Sequence, residues 1–168
     1  MNTTPLQDAF RTLLKAAATV AEAGDEVHVP PAGEWNADQI LAHVALVNAV
    51  TITAVSRVTS GANATYDNRM ALDPWTIDRV ISLAGGNAGL QVRIAAQGEA
   101  LSALGAILSE TELDTPLPTL LLSNGEVLVD QPVPLRDLIT GLAEVEIPGH
   151  TKQILALLTE RAEAVGAT

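Results

Sequence analysis

Apolar residues recur every three or four positions in four long stretches of this 168-residue chain, and proline, glycine or polar segments separate the stretches. That spacing places apolar side chains on one face of a helix, so each stretch predicts an amphipathic helix. Hydrophobic residues make up 48% of the chain and aromatic residues only 2%. A core built from Leu, Ile, Val and Ala favours packed helices, and the length predicts a single domain over residues 1–168.

Capping signals predict where the first two helices begin. Thr4 is followed by Pro and, three residues on, by Gln, which predicts a first helix over 5–23 with Thr4 as its cap. Asn36 is likewise followed three residues later by Gln and predicts a second helix over 37–59. Trp35, just before that cap, is placed to pack onto the first turn of this helix.

The second half of the chain predicts two more helices and a short extended segment. Asp73 before Pro predicts a third helix that runs to residue 109, with a bend or break at the glycines of 85–89. Short apolar runs around an Asn-Gly turn over 120–129 predict a small hairpin or extended loop. The last helix is expected over 135–163. The sequence therefore predicts an all-α fold, an antiparallel four-helix bundle with that hairpin or loop before the last helix.

Charge and terminal sequence limit the partners and the location. The formal net charge is -11 and there is no basic run, so we expect neither nucleic acid nor an anionic membrane as a partner. Polar residues interrupt the apolar stretches, so we expect none to span a bilayer. The chain begins without the basic and apolar regions of a signal peptide, which favours a cytoplasmic location. With no cysteine, disulfides and thiolate ligands are excluded within the chain.

Two of the three histidines fall on faces that should point into the core. His28 lies in a Pro-rich connector, where a solvated histidine is expected. His43 lies on the apolar stripe of the second helix, and Glu146 and His150 are four residues apart on the inner face of the last helix. A buried carboxylate needs compensation, and two imidazoles with one carboxylate form a three-ligand face for a divalent metal with an open fourth position.

Two other interpretations of these residues stay open. The three side chains could form a hydrogen-bonded cluster without metal, or the face of the last helix could be misassigned by one position so that Glu146 is solvated. Pro148-Gly149 interrupts the helix between two of the ligands, and a proline there costs about 3 kcal/mol and kinks the axis. Such a kink either directs His150 towards the other two ligands or destroys the site.

Two stretches carry a resemblance to a known family. Residues 33–43, Gly-Glu-Trp-Asn-Ala-Asp-Gln-Ile-Leu-Ala-His, and residues 146–154, Glu-Ile-Pro-Gly-His-Thr-Lys-Gln-Ile, are similar to motifs of the DinB-like superfamily, which includes the mycothiol-dependent maleylpyruvate isomerases. In that family the first motif ends on a metal-ligating His, here His43. The second supplies two further ligands, here Glu146 and His150. Many members have His at the position of Glu146, whereas the isomerase branch has Glu there, as this chain does.

The resemblance implies a function and its cofactors. It implies a divalent metal, zinc or nickel, with a low-molecular-weight thiol such as mycothiol, and hence a metal- and thiol-dependent transferase or isomerase acting on a small molecule. Gln153, one turn past His150, is expected as a cofactor-pocket residue. The alternative is a non-catalytic, stress-related bundle whose metal site is vestigial. A monomer or a homodimer is expected, and the many Ala and Val residues with few Lys favour a bacterial source.

Overall fold

The computed structural model describes residues 1–24, 30–31 and 33–165, with side chains described as far as residue 158. The interpretation of His28 lies outside the described residues. The chain is mostly helical and carries a small sheet. Its helices are α1 Thr4–Ala23, α2 Ala37–Thr59, α3 Pro74–Ala84, α4 Asn87–Ile107, α5 Glu110–Leu113, α6 Leu135–Gly141 and α7 Ile147–Val165. Its strands are β1 Tyr66–Asp67, β2 Pro116–Ser123 and β3 Glu126–Pro134.

The long helices pack around one aliphatic core, but they are not all antiparallel to their neighbours. Near the start of α2 and α4, Asn87 donates to Asp38 at 2.7 Å, and further along both helices Gln97 donates to the Ala45 carbonyl at 2.9 Å. The residue numbers of the two partners increase together from the first contact to the second, so α2 and α4 run parallel. The short helix α3 returns the chain and makes that direction possible, and the prediction of a simple antiparallel arrangement was wrong here.

The predicted caps are confirmed at α2 and corrected at α1. Asn36 accepts from the Gln39 N–H, and the Gln39 side chain accepts from the Asn36 N–H, so the capping box is complete. At α1 the helix already includes Thr4, and its N-cap is Thr3, whose side chain makes no capping bond; the Asn2 side chain accepts from the Thr4 N–H at 3.0 Å. The hydroxyl of Thr4 is therefore not a cap.

The predicted break between α3 and α4 is confirmed. Gly85 and Gly86 both have positive φ, 79° and 86°. Their N–H groups bond to the Ile81 carbonyl, which closes the end of α3 in a left-handed turn that glycine adopts without strain. The Asp73 cap at the start of α3 is also confirmed, because its carboxylate accepts from the Thr76 N–H.

The extended segment is a longer sheet than predicted, so the fold is not strictly all-α. β2 pairs antiparallel with β3 through the Asn-Gly turn, and β1 pairs parallel with β2 at Thr119 and Leu120. The prediction covered only 120–129, whereas the ladder continues until Pro116 faces Pro134 and Pro118 faces Pro132. They occupy alternate positions, where an N–H points away from the partner strand, and β1 does not reach them, so no ladder bond is lost.

A widened turn joins α6 to α7 and absorbs the proline of the last helix. Residues Leu142–Glu146 form one π-helical turn, in which the Ile147 N–H bonds to the Leu142 carbonyl five residues back. The extra residue rotates all later positions by about 100°. Leu142 and Ile147 are consequently both buried, and Val145, which continues the apolar three-or-four spacing of the last helix, is 70% exposed.

By length and composition, α2 could cross a membrane, with a mean hydropathy of 1.6 over its most apolar window. The sequence predicted no stretch of this kind, and that prediction was wrong for α2 by the criterion of length and composition. In the structure 67% of the window is buried inside the protein, and the core helix of a soluble protein passes the same test. The hydropathy of α2 is therefore weak evidence for a membrane span.

Candidate metal centre

His43, Glu146 and His150 come together at one place on α2 and the last helix. Both imidazoles approach the same carboxylate oxygen: His43 Nε2 lies 3.0 Å from Glu146 Oε1, and His150 Nε2 lies 3.2 Å from it. One ligand atom from each residue lies within 4.8 Å of the other two, which makes the cluster a candidate for holding a metal ion. The three residues predicted from spacing are thus brought together.

The far nitrogen of each imidazole is held by an acceptor. His43 Nδ1 lies 2.8 Å from the Ala71 carbonyl oxygen, and His150 Nδ1 lies 2.9 Å from Gln153 Oε1. A carbonyl oxygen can only accept, so Nδ1 carries the proton and donates in both contacts. In the neutral tautomer each Nε2 then has a free lone pair, and both lone pairs point at Glu146. This is the orientation that metal-binding histidines adopt when a backbone or side-chain oxygen fixes the ring.

Glu146 is half-buried, which the inward-facing prediction did not expect. Its side chain is 37% exposed, whereas the side chains of His43 and His150 are 4% and 16% exposed. The π turn explains this, because it rotates Glu146 from the core stripe to its edge, where the carboxylate still reaches both imidazoles. This π turn lies just before Pro148, and Glu146 and His150 remain in contact across the proline.

The charges of the cluster stabilise one another. Burial alone would raise the pKa of Glu146, but the hydrogen bonds and charges of His150 and His43 hold that pKa far below its usual range. Burial alone would lower the pKa of His150, and the hydrogen bond and charge of Glu146 raise it above the ordinary value. A positive charge between the carboxylate and the imidazoles is therefore favoured.

Aromatic and imidazole rings wall the site on one side. The Trp35 ring lies 4.8 Å from the His43 ring, and the His43 and His150 rings are 4.7 Å apart at an edge-on angle of 60°. The sequence placed Trp35 as a packing residue for the first turn of α2. In the structure it also shields the least exposed imidazole from solvent.

The cluster opens into a cavity of about 1340 Å³, hereafter the site cavity. The hairpin of β2 and β3 forms one wall, and the last helix forms another. Tyr66 also lines it, and its hydroxyl lies 3.0 Å from the Thr51 hydroxyl. Burial raises the pKa of Tyr66 to about 12, against the opposing effect of Thr51, and the charge of Glu146 adds to the rise.

Several of these residues could not be assigned from the sequence. Ala71 contributes only a backbone carbonyl, from a single 3₁₀ turn over Arg69–Ala71 that no local pattern marks. Asn68 falls in a polar stretch that resembles an ordinary loop, yet its amide donates to the Leu122 carbonyl and accepts from the Leu122 N–H, both at 2.9 Å. That pair of bonds ties the hairpin to the segment that carries Ala71. Gln153 was expected in the pocket and does line the site cavity.

Compared with protein-family models, with curated proteins and with solved structures, the chain matches none of them. The likeness to the DinB-like superfamily therefore stays a prediction from the two motifs.

Proposed function

We propose that this protein is a DinB-like four-helix bundle that binds one divalent metal ion through His43, Glu146 and His150. Zinc is the first choice of metal and nickel the second. We further propose that the metal acts with a low-molecular-weight thiol such as mycothiol, as a transferase or isomerase on a small molecule. The protein is proposed to work in the cytoplasm, as a monomer or homodimer.

The observation that carries this proposal is the pair of lone pairs aimed at one carboxylate. Because each Nδ1–H donates a hydrogen bond, to the Ala71 carbonyl or to Gln153, the two Nε2 lone pairs face Glu146 Oε1 at 3.0 and 3.2 Å. Three electron-rich atoms at this separation repel one another unless a cation lies between them. Two protons or one divalent metal ion would supply that charge, and two histidines with one carboxylate are a common ligand set for catalytic zinc.

The spacing of the donors suits such an ion. Zinc lies about 2.0–2.2 Å from imidazole nitrogen and carboxylate oxygen, so ligand atoms around one ion are about 3–3.5 Å apart. The two nitrogen-to-oxygen separations fall in this range, and all three ligand atoms lie within 4.8 Å of one another, so the two imidazoles would move slightly closer together around an ion. A metal bound here would lower the pKa of a water or thiol at its open position and polarise a substrate carbonyl. The site cavity gives that position access to a small molecule.

Thermal unfolding with added zinc tests the metal part of the proposal. Saturation at 100 times Kd stabilises the folded state by about 2.7 kcal/mol, which corresponds to a rise in Tm of about 5–10 °C for a domain of this size. Glu146→Gln keeps the shape of a half-exposed side chain and should abolish the rise without unfolding the protein. His43→Ala should abolish it too. If neither zinc nor nickel moves Tm, and the purified protein carries no metal, the proposal fails.

A thiol titration tests the catalytic part. Cobalt-substituted protein should develop a sulfur-to-metal charge-transfer band when a small thiol binds. A screen of thiol-dependent transfers and isomerisations with the metal-loaded protein then looks for turnover. Metal binding without a thiol band or turnover would instead support the alternative, a non-catalytic bundle with a vestigial site.

A further inference from the structure

The site cavity offers an incoming molecule apolar walls. Leu121, Leu128 and Val133 of the hairpin and Leu142 and Val145 of the last helix line it. Two of these side chains remain open to solvent, since Leu128 is 66% and Val145 is 70% exposed. Exposed apolar side chains at the edge of a cavity favour binding of a molecule that removes them from water. The body of the molecule that enters is therefore apolar.

The arginine that lines the cavity is already paired with a carboxylate. Arg69 is the only Arg or Lys among the described residues that line it. Its guanidinium is already held by Asp67, with Nε 2.9 Å and Nη2 2.6 Å from Oδ2. This paired geometry satisfies the face of Arg69 that would otherwise bind a carboxylate or phosphate.

Carboxylates surround the same cavity. Glu34, Asp73 and Asp137 line it in addition to Glu146. Asp73 is fixed in place, because its carboxylate accepts from the Thr76 N–H at 2.9 Å. A divalent ion on the metal cluster would offset only part of this charge, and the whole chain has a formal net charge of -11. The potential in the cavity mouth is negative, which attracts cations and repels anions.

We infer that the molecule bound in the site cavity has an apolar body and an uncharged or positively charged polar group, and that anions such as carboxylates and phosphates are excluded. This inference rests on the proposed function, since it names the class of molecule that the metal cluster would meet. The inference also follows from the apolar walls and the carboxylates without any metal. The proposed function and the inference on ligand class can therefore fail separately.

Calorimetric titration with three compounds of one shape tests the inference. The probes are 2-naphthalenemethanol, which is neutral, 2-naphthylmethylammonium, a cation, and 2-naphthoate, an anion. In metal-free protein at low salt we expect the first two to bind at least tenfold more tightly than the third. The difference should shrink as salt is added, because screening weakens the carboxylate field.

Variants assign the effect to the lining residues. In Asp73→Asn/Asp137→Asn the discrimination against 2-naphthoate should fall at least threefold, and Asn keeps the helix cap at position 73. Asp78→Asn/Glu99→Gln is the matched control: it removes two exposed carboxylates that do not line the cavity and should leave the ratio unchanged.

Two results would overturn the inference: 2-naphthoate binding as tightly as the alcohol in metal-free protein, or no binding by any of the three compounds. A separate zinc titration reports on the proposed function. If zinc fails to bind while the neutral and cationic probes do bind, the metal proposal falls and the inference on ligand class stands.

Discussion

Raising the pH above 10 should destabilise this protein through a single phenol, that of Tyr66. The side chain is 4% exposed, and burial raises its pKa from 10.0 to about 12. Below pH 10 the phenol is neutral in both the folded and the unfolded chain, so it contributes no pH dependence. Above pH 10 the unfolded chain loses the proton while the folded chain keeps it, and stability falls as pH rises. One unit of pKa corresponds to about 1.4 kcal/mol, so the loss is about 1.4 kcal/mol at pH 11. It is about 2.3 kcal/mol at pH 12, where half of the folded chains have ionised, and it levels off at about 2.7 kcal/mol at higher pH.

The assay is clean because Tyr66 is the only tyrosine in the chain. Urea unfolding at pH 8 and pH 11 should show the wild type losing about 1.4 kcal/mol more than Tyr66→Phe. The variant itself loses the hydrogen bond between the Tyr66 and Thr51 hydroxyls, about 0.5–1.5 kcal/mol at either pH, and the Thr51 hydroxyl still donates to the Val47 carbonyl. Absorbance at 295 nm follows ionisation directly. A midpoint near pH 10 with an unchanged far-UV circular dichroism spectrum would refute the reasoning.

Three further substitutions test the packing and the support of the site. Gly98→Ala places a Cβ 2.8 Å from two ring atoms of buried Phe10 and should cost about 1–2 kcal/mol by urea unfolding, after the better helix propensity of Ala. Gly141→Ala meets nothing within 4 Å and should gain up to about 1 kcal/mol as the matched control. Asn68→Ala leaves the Leu122 N–H and carbonyl unpaired and should lower the free energy of unfolding by about 2–4 kcal/mol. A loss under about 0.5 kcal/mol would show that the two bonds between Asn68 and Leu122 do not support the hairpin. Gln153→Ala should weaken zinc binding about 10–100-fold in a chelator competition, and Gln153→Glu, which still accepts from His150 Nδ1, should restore most of it. An unchanged zinc affinity in Gln153→Ala would show that His150 needs no such support.

The helices could be predicted because their signals are local. The Asn36 capping box and the glycines at 85 and 86 each fix a helix end through bonds made within a few residues. The three-or-four spacing likewise placed His43 on a buried face. Where one turn determines the outcome, a sequence pattern contains the information that is needed.

Features that depend on distant partners could not be predicted in this way. The π turn at Leu142–Glu146 leaves no local signature except the proline that follows, and it moved Val145 to the surface. The parallel direction of α2 and α4 follows from how α3 returns the chain. The Ala71 carbonyl that orients His43 belongs to a segment 28 residues away, and that segment is tied to the folded hairpin through Asn68.

Zinc binding to variants of the three proposed ligands tests the central claim most directly. By calorimetric titration the wild type should bind one zinc ion per chain, and His43→Ala, Glu146→Gln and His150→Ala should each lose at least 99% of that affinity. His28→Ala, the matched substitution at the remaining histidine, should bind as the wild type does. Absence of zinc and nickel binding in the wild type, or zinc binding that survives Glu146→Gln and His43→Ala, would contradict the account.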